Sequence, residues 1–261
     1  MAAGDAVMPY FNGARYHVRE KSRGNPVTSA DLEADRRMKE VILQAFRGDA
    51  WLSEEEADSL DRLSKSRVWI IDPIDGTKEF IEKVPEFALS VGFVVDGEPE
   101  AAVVFNPAKK EIFRAWRGGG TFRNDRRVRV STQQNPQRSV ILASRSDYKQ
   151  GKYKDLEPFF SLKPVGSIAY RLAQVAAGLA EATFTLKNTS EWDVCAGCLL
   201  VAEAGGIVTN EKGLPLKFNR PDVRIGGVLA SNPSLHEKIL QALRDKGGNR
   251  WRHGEMQLLP R

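Results

Sequence analysis

The stretch Arg67-Val68-Trp69-Ile70-Ile71-Asp72-Pro73-Ile74-Asp75-Gly76-Thr77-Lys78-Glu79-Phe80 decides the reading of this 261-residue chain. Residues 67–71 form a short β-branched and aromatic run stopped by Asp72 and Pro73, which predicts a buried strand ending at a turn. The motif that follows is then expected on a strand-to-helix turn. Two carboxylates three residues apart, joined by a proline-stiffened turn and followed by glycine, can point at one spot, and the carbonyl of Ile74 can point there too. These are hard oxygen ligands of the kind Mg²⁺ takes in small number while keeping waters and substrate phosphates for its other positions. Gly76 lets the backbone approach closely, and the N–H groups opening the next helix present donors to an anion. Asp-Pro and Asp-Gly are also ordinary turn dipeptides, and Asp is an ordinary helix N-cap. By average residue frequencies, D-x-x-D-G-[ST] arises by chance in roughly one chain in a hundred of this length. The motif needs partners.

Partners are present. Ser53-Glu54-Glu55-Glu56 precedes it on a segment expected to form a neighbouring strand end or loop, and Trp192-Asp193 opens a helix far downstream. Each has a plain alternative: a solvated acidic patch for Glu54 to Glu56, a simple N-cap for Asp193.

Outward from the motif, Leu32, Met38, Val41, Ile42 and Ala45 recur at helical spacing and predict an amphipathic helix entered through residues 26–31, with Thr28 or Ser29 as N-cap. Residues 87–95, 100–105 and 111–115 read as antiparallel hairpin strands separated by turn-rich DGEP and NPAKK, and a further short pair ends near Val130. The polar stretch Ser131–Arg138 is the expected junction between an N-terminal α+β half (1–135) and a C-terminal α/β half (136–246), with 247–261 as a tail. In the second half, strands at 140–143, 181–186, 206–209 and 228–230 alternate with helices at 168–177, 194–204 and about 233–243, the pattern of an α/β layered fold.

Hydrophobic residues make up 41% of the chain and charged residues 28%, which excludes wholesale disorder, collagen and coiled coil. Uncharged apolar runs such as 87–95, nine residues long, fall well short of the roughly 18 residues a membrane span needs. MAAGDAVMPYFNGARYHVRE has no basic segment followed by an apolar one, so no signal peptide is read and the cytoplasm is the expected compartment. Two cysteines cannot build a disulfide framework, and three scattered histidines do not make an imidazole metal site. The net charge of +5 suits either a nucleic-acid binder or an enzyme drawing a small polyanion into a cleft. Basic residues are dispersed and no nucleic-acid motif appears, so a non-catalytic polyanion-binding module is the remote alternative.

PVTSAD (26–31), LSEE (52–55), DPIDGTKEF (72–80), GGGTFRN (118–124), PVGS (164–167), EWDVCAG (191–197) and EAGG (203–206) occur here in the order seen in the inositol monophosphatase superfamily of lithium-sensitive, Mg²⁺-dependent phosphatases. The resemblance spans about residues 3–243, and it implies a first helix of which MAAGDAVM is expected to carry only the later part. It implies an αβαβα sandwich with an antiparallel N-terminal sheet and a mixed C-terminal sheet. It also implies two or three Mg²⁺ ions. Glu54, Asp72 and the Ile74 carbonyl would hold one, Asp72, Asp75 and Asp193 a second, with Glu54 facing a water or a third, weaker ion. The substrate phosphate would lie on the backbone N–H groups of Gly76 and Thr77, and Thr77, hydrogen-bonded to Asp31, would orient and help deprotonate the attacking water. Phosphate monoester hydrolysis needs no serine, cysteine or histidine nucleophile when metals activate water, in keeping with the scarcity of histidine.

Within the superfamily, LSEE and the Lys78-Glu79 of DGTKEF resemble the 3'(2'),5'-bisphosphate nucleotidase branch, which implies removal of the 3'-phosphate of adenosine 3',5'-bisphosphate. The alternative is an inositol-1-monophosphatase or another small sugar-phosphate phosphatase. Seven residues before Asp193, where inositol phosphatases tend to carry a glutamate, stands Leu186, followed by Lys187, a cation that could meet a second phosphate. Gly166 and Ser167 resemble a pair near the substrate hydroxyls, with plain capping as the other reading. Arg145 and Arg171 are further possible second-phosphate contacts. The expected partner is thus a small phosphorylated substrate, with no nucleic-acid polymer and no membrane, on a monomer or homodimer. Cys195-x-x-Cys198 lies inside an apolar helix and reads as core, Gly118–Gly120 reads as a hairpin turn, and His236 is expected to cap or face solvent.

Overall fold

A computed structural model describes residues 1–22 and 24–246, so the expected tail, 247–261, lies outside the described residues. The chain opens with α1 (Ala2–Phe11), the hairpin strands β1 (Val18–Ser22) and β2 (Asn25–Thr28), and α2 (Ser29–Ala45). Thr28 caps α2 in a reciprocal box with Asp31, satisfying N–H groups at the helix start. Next come β3 (Ala50–Ser53), a 3₁₀ turn (Leu60–Ser64), β4 (Arg67–Asp75) and the short α3 (Thr77–Ile81). A meander follows: β5 (Ala88–Val95), β6 (Glu98–Asn106), β7 (Glu111–Trp116), β8 (Gly120–Arg123) and β9 (Arg126–Val128). Strands β3 to β9 form one seven-stranded sheet in sequence order.

Residues 129–139, including the 3₁₀ turn Pro136–Arg138, lead into the second sheet. The remaining elements are β10 (Val140–Ser144), α4 (Arg145–Lys149), β11 (Ser161–Val165), α5 (Ile168–Ala176), β12 (Ala182–Phe184), β13 (Thr189–Ser190), α6 (Glu191–Glu203), β14 (Ile207–Asn210), β15 (Arg224–Ile225), β16 (Val228–Ser231) and α7 (His236–Lys246), with β13 and β15 paired apart as a two-stranded antiparallel sheet. The second sheet has the order β11-β10-β12-β16-β14 and is mixed: β10 runs parallel to β11 and β12, whereas β16 is antiparallel to β12 and β14.

Side-chain alternation along the strands builds five layers. Ile71 and Leu89 face a core shared with α1 and α2, while Val68 and Ile70 on the other face join the core around α5 and α6. Likewise Leu142, Val228 and Ala230 face α5 and α6, while Ile141, Ala182 and Leu229 turn to α7. The expected αβαβα sandwich is the fold, and the two large sheets share the middle helical layer of α5 and α6.

Four expectations change. The N-terminal sheet is not wholly antiparallel, because β3 pairs parallel with β4. The strand expected to stop at Asp72 continues through Asp75, since the step from Asp72 to Asp75 on β4 spans only Ser90 to Ala88 on β5. The extra residue is a bulge that accommodates Pro73, which has no N–H to give the ladder, and re-aims the two aspartates. The last helix begins at His236, and that residue does not face solvent: it is buried between the hydroxyls of Thr209 and Ser231. Strands β1, β2, β11, β13 and β15 and helix α4 arise where no element was expected.

Candidate active site

Glu54 is placed by strand pairing. Ser53 stands opposite Ile71 in the parallel β3–β4 ladder, and the Glu54 amide continues it by donating to the Ile71 carbonyl at 3.2 Å. Glu54 therefore leaves its strand beside Asp72. Asp193 is the third residue of α6 rather than its N-cap, and Ser190 takes the cap position. The Asp193 carboxylate accepts from the Ser190 amide at 2.6 Å and from the Thr189 hydroxyl. One carboxylate oxygen from each of Glu54, Asp72 and Asp193 lies within 4.8 Å of the others.

Asp72 is the anomaly in this group. It is buried, and among the described residues neither carboxylate oxygen has a hydrogen-bond partner. A buried acceptor left in this state is costly. Like charges at such separations repel by about 3 to 4 kcal/mol per pair at an effective dielectric of about 20. Burial first, and then the charges of Glu54, Asp75, Asp193 and Asp31, push the Asp72 carboxyl well above its ordinary range. Burial and Glu54 push Asp193 up to about 6. The group demands protons or a cation, and an all-oxygen donor set fits a hard divalent ion.

Asp75 behaves differently. Its Oδ2 accepts from the Ser167 hydroxyl and the Ala169 amide, both at 2.6 Å, so this oxygen caps the start of α5. It stands outside the three-carboxylate group, although burial and the charge of Asp193 push it up to about 7. Ser167 combines both readings, since its hydroxyl caps α5 by accepting from Tyr170 N at 2.9 Å and also donates to Asp75.

Thr77 lies within hydrogen-bond distance of two acceptors, Asp31 Oδ1 at 3.0 Å and the Ile74 carbonyl at 3.1 Å. Asp31 is held from behind by Thr28, whose amide and hydroxyl donate to Oδ2 at 2.8 and 2.6 Å. Burial raises the Asp31 carboxyl. Gly76 has φ +95°, and a Cβ there would sit 3.2 Å from the Glu86 carbonyl, so the turn into α3 requires glycine.

These residues share a cavity of about 400 Å³ lined by Glu54, Asp72, Ile74, Asp75, Gly76, Thr77, Gly166, Ser167, Lys187 and Asp193, with Lys78, Glu79 and Arg145 at other parts of its wall. Asp31 is absent from that lining and reaches the cavity only through Thr77. Of the basic residues expected near a second phosphate, Lys187 is exposed and Arg145 pairs with Glu82 at 3.2 Å. Arg171 is withdrawn: it is buried and spends its guanidinium on Gly166 O, Thr183 Oγ1 and Phe184 O. Leu186 packs against the core beneath α7.

Sequence reasoning missed Lys21, whose ammonium binds Glu54 Oε1 at 2.6 Å and Glu55 Oε1 at 2.9 Å from the β1–β2 hairpin. No periodicity marks that hairpin, since all five residues of β1 are exposed. It also missed Glu86, whose carboxylate accepts from Gly166 N at 3.0 Å. Cys195 and Cys198 are buried free thiols in α6, as expected of core. Gly118 and Gly120 form the expected turn, with their amides donating to the Glu203 carboxylate at 2.9 Å each.

Comparison with known proteins places this geometry. The model of the inositol monophosphatase family matches residues 1–247. The chain is 34% identical to the inositol-1-monophosphatase of Rhizobium meliloti over 87% of this chain and 85% of that one. It is 32% identical to the Nus factor SuhB of Escherichia coli K12 over the same shares. The crystal structure of the extragenic suppressor protein suhB from Bartonella henselae superposes with a TM-score of 0.83 at 30% identity, covering 94% of this chain and 95% of that one. None of the three carries the bisphosphate nucleotidase name that DGTKEF led us to expect. Motif order, layer architecture and these likenesses agree: the chain belongs to the inositol monophosphatase family of phosphatases.

Proposed function

We propose that this chain is a Mg²⁺-dependent hydrolase of small phosphate monoesters, with inositol 1-phosphate as the leading substrate. The observation that carries the reading is Asp72, buried with both oxygens unpartnered where Glu54 and Asp193 converge. Glu54, Asp72 and Asp193 would hold the ion, with the Ile74 carbonyl and the free side of Asp75 close by for a second. Mg²⁺ in such a site supplies positive charge for the phosphoryl oxygens and acidity for water.

The chain's own groups do the rest. Thr77 Oγ1 accepts a proton from the attacking water as it passes its own to Asp31 Oδ1, a 3.0 Å transfer. Burial makes Asp31 a better proton acceptor than an exposed carboxylate. The bonds from Thr28 fix Asp31 in place, so Thr77 meets the water in one orientation. The amides of Gly76 and Thr77 receive phosphate oxygens at a turn where only glycine lets the backbone come close. Ser167, fixed between Asp75 and the first turn of α5, orders the wall that receives the alcohol portion of the substrate.

The names of the relatives support inositol 1-phosphate, and the second reading rests on a different observation. Leu186 is apolar and packs against the core, while the exposed Lys187 and Lys78 border the cavity. Those features favour an extra anionic group, as in adenosine 3',5'-bisphosphate. Phosphate release from inositol 1-phosphate, adenosine 3',5'-bisphosphate and fructose 1,6-bisphosphate, each with Mg²⁺, separates the readings by kcat/KM. Li⁺ is expected to inhibit the favoured reaction. Phosphate release from none of the three, together with salt-dependent binding of nucleic acid, would instead support the polyanion-binding alternative.

A further inference from the structure

Glu54 and Asp193 arrive from segments distant in sequence, yet their separation decides whether one ion can bridge them. A chain of polar contacts joins the two segments away from the cavity. It starts at Arg62, on the 3₁₀ turn that follows the Glu54 segment, which is only 2% exposed. Its Nε and Nη2 donate to the two oxygens of Asp58 at 2.7 Å each. Nη1 donates to Asn219 Oδ1 at 2.7 Å, and Nη2 also reaches the Arg220 carbonyl at 2.9 Å. Asn219 Nδ2 returns a bond to the Arg62 carbonyl at 3.2 Å.

Asn219 holds a left-handed backbone at φ 57°. Its amide and that of Arg220 donate to Glu191 Oε2 and Oε1, at 2.7 and 3.0 Å. Glu191 has no exposed surface, opens α6, and sits two residues before Asp193. Its own amide donates to Val223 O at 2.9 Å, tying the helix start to the same loop.

A buried guanidinium and a buried carboxylate each lose hydration, and apolar packing of similar volume stabilises a fold as well or better. What such a network supplies is geometry, because the donors and acceptors of Arg62, Asn219 and Glu191 are paired with one another in this arrangement. We propose that Arg62 and Glu191 are positioning residues for the cation site: through Asn219 they set the distance between Glu54 and Asp193, and hence the affinity for a divalent ion. This rests on the reading that Glu54, Asp72 and Asp193 bind such an ion.

The test is Mn²⁺ binding to the full chain without substrate, with free Mn²⁺ followed by electron paramagnetic resonance. Arg62→Lys and Glu191→Gln are compared with wild type and with Leu240→Ala, a buried residue of the core beneath α7. The expected result is at least a tenfold rise in Kd for both clasp variants and none for Leu240→Ala, although all three lower Tm. In turnover, the required Mg²⁺ concentration rises while KM for substrate at saturating Mg²⁺ stays unchanged. Should either clasp variant fail to fold, Asn219→Gly keeps the left-handed backbone, removes only the side-chain link, and decides in the same way. Wild-type Mn²⁺ affinity in folded clasp variants overturns the inference alone. No Mn²⁺ binding by wild type overturns the underlying metal reading, and the inference with it.

Discussion

Ser53 lies directly opposite Ile71 in the parallel pairing of β3 with β4, and this register brings Glu54 beside Asp72. A slip of one residue would turn Glu54 to the other face of the sheet and leave Asp72 without its neighbour. The apolar faces of Leu52, Ile70 and Ile71 lock the register, so the core and the acidic site are specified by the same residues.

Asp72→Asn tests what that register is for. The substitution keeps shape and removes one buried negative charge among Glu54, Asp75 and Asp193. Phosphate release should fall by about 10²- to 10³-fold, the scale seen when charge stabilisation at a reacting centre is lost. Without Mg²⁺, Tm should rise above wild type, because the repulsion and the unpartnered oxygens are relieved. A variant that is active, or less stable without metal, contradicts the assignment.

The metal-free protein should be more stable in mild acid than in mild alkali. Asp75 and Asp193 titrate near 7 and 6 in the fold, against an ordinary 3.8. A folded pKa raised above the unfolded one contributes stability that is full below the unfolded value and is lost as pH rises through the folded value. Tm in EDTA should therefore drop between about pH 5 and pH 8. Mg²⁺ should raise Tm most at pH 8, where the carboxylates are ionised and binding adds to the fold's stability. A Tm in EDTA that climbs across this window would contradict the raised carboxylates.

Thr77→Val and Thr77→Ser separate the hydroxyl from the methyl. Valine removes the bond to Asp31 Oδ1 and should lower kcat by about 10² to 10³, within the range for a positioned proton-transfer group. Serine keeps the hydroxyl and should retain most activity. Since Thr77 is not one of the three clustered carboxylates, the Mg²⁺ dependence should stay at wild-type values in both. Equal rates for the two variants would remove Thr77 from the proton path.

Much of this was legible in the chain because local chemistry and tertiary role coincide. Thr28 reads as an N-cap candidate by sequence alone, and the Asp31 that closes its cap also receives Thr77. The strand run 67–71 and the glycine at 76 announce a strand and a sharp turn. Lys21, Arg62 and Glu86 were not legible, because their partners Glu54, Asn219 and Gly166 lie 33, 157 and 80 residues away and no periodicity links them. Arg171 shows the reverse case. Its charge suggested a ligand contact, but its position on an otherwise buried helix commits it to internal carbonyls.

His236 gives the last expectation, with the opposite pH sign to the carboxylates. Both ring nitrogens are engaged, Nε2 with Thr209 Oγ1 at 3.0 Å and Nδ1 with Ser231 Oγ at 2.8 Å. Burial lowers the imidazole below its ordinary 6.5. A depressed folded pKa means the contribution is present above the unfolded value and is lost as pH falls through the folded one. His236→Ala should therefore cost about 2 to 3 kcal/mol at pH 7.5, from the cavity and the unpaired Thr209 hydroxyl. In urea unfolding at pH 5 the gap between variant and wild type should narrow, because wild type then carries the cost of holding the ring neutral. An equal gap at both pH values would mean that His236 supplies packing alone.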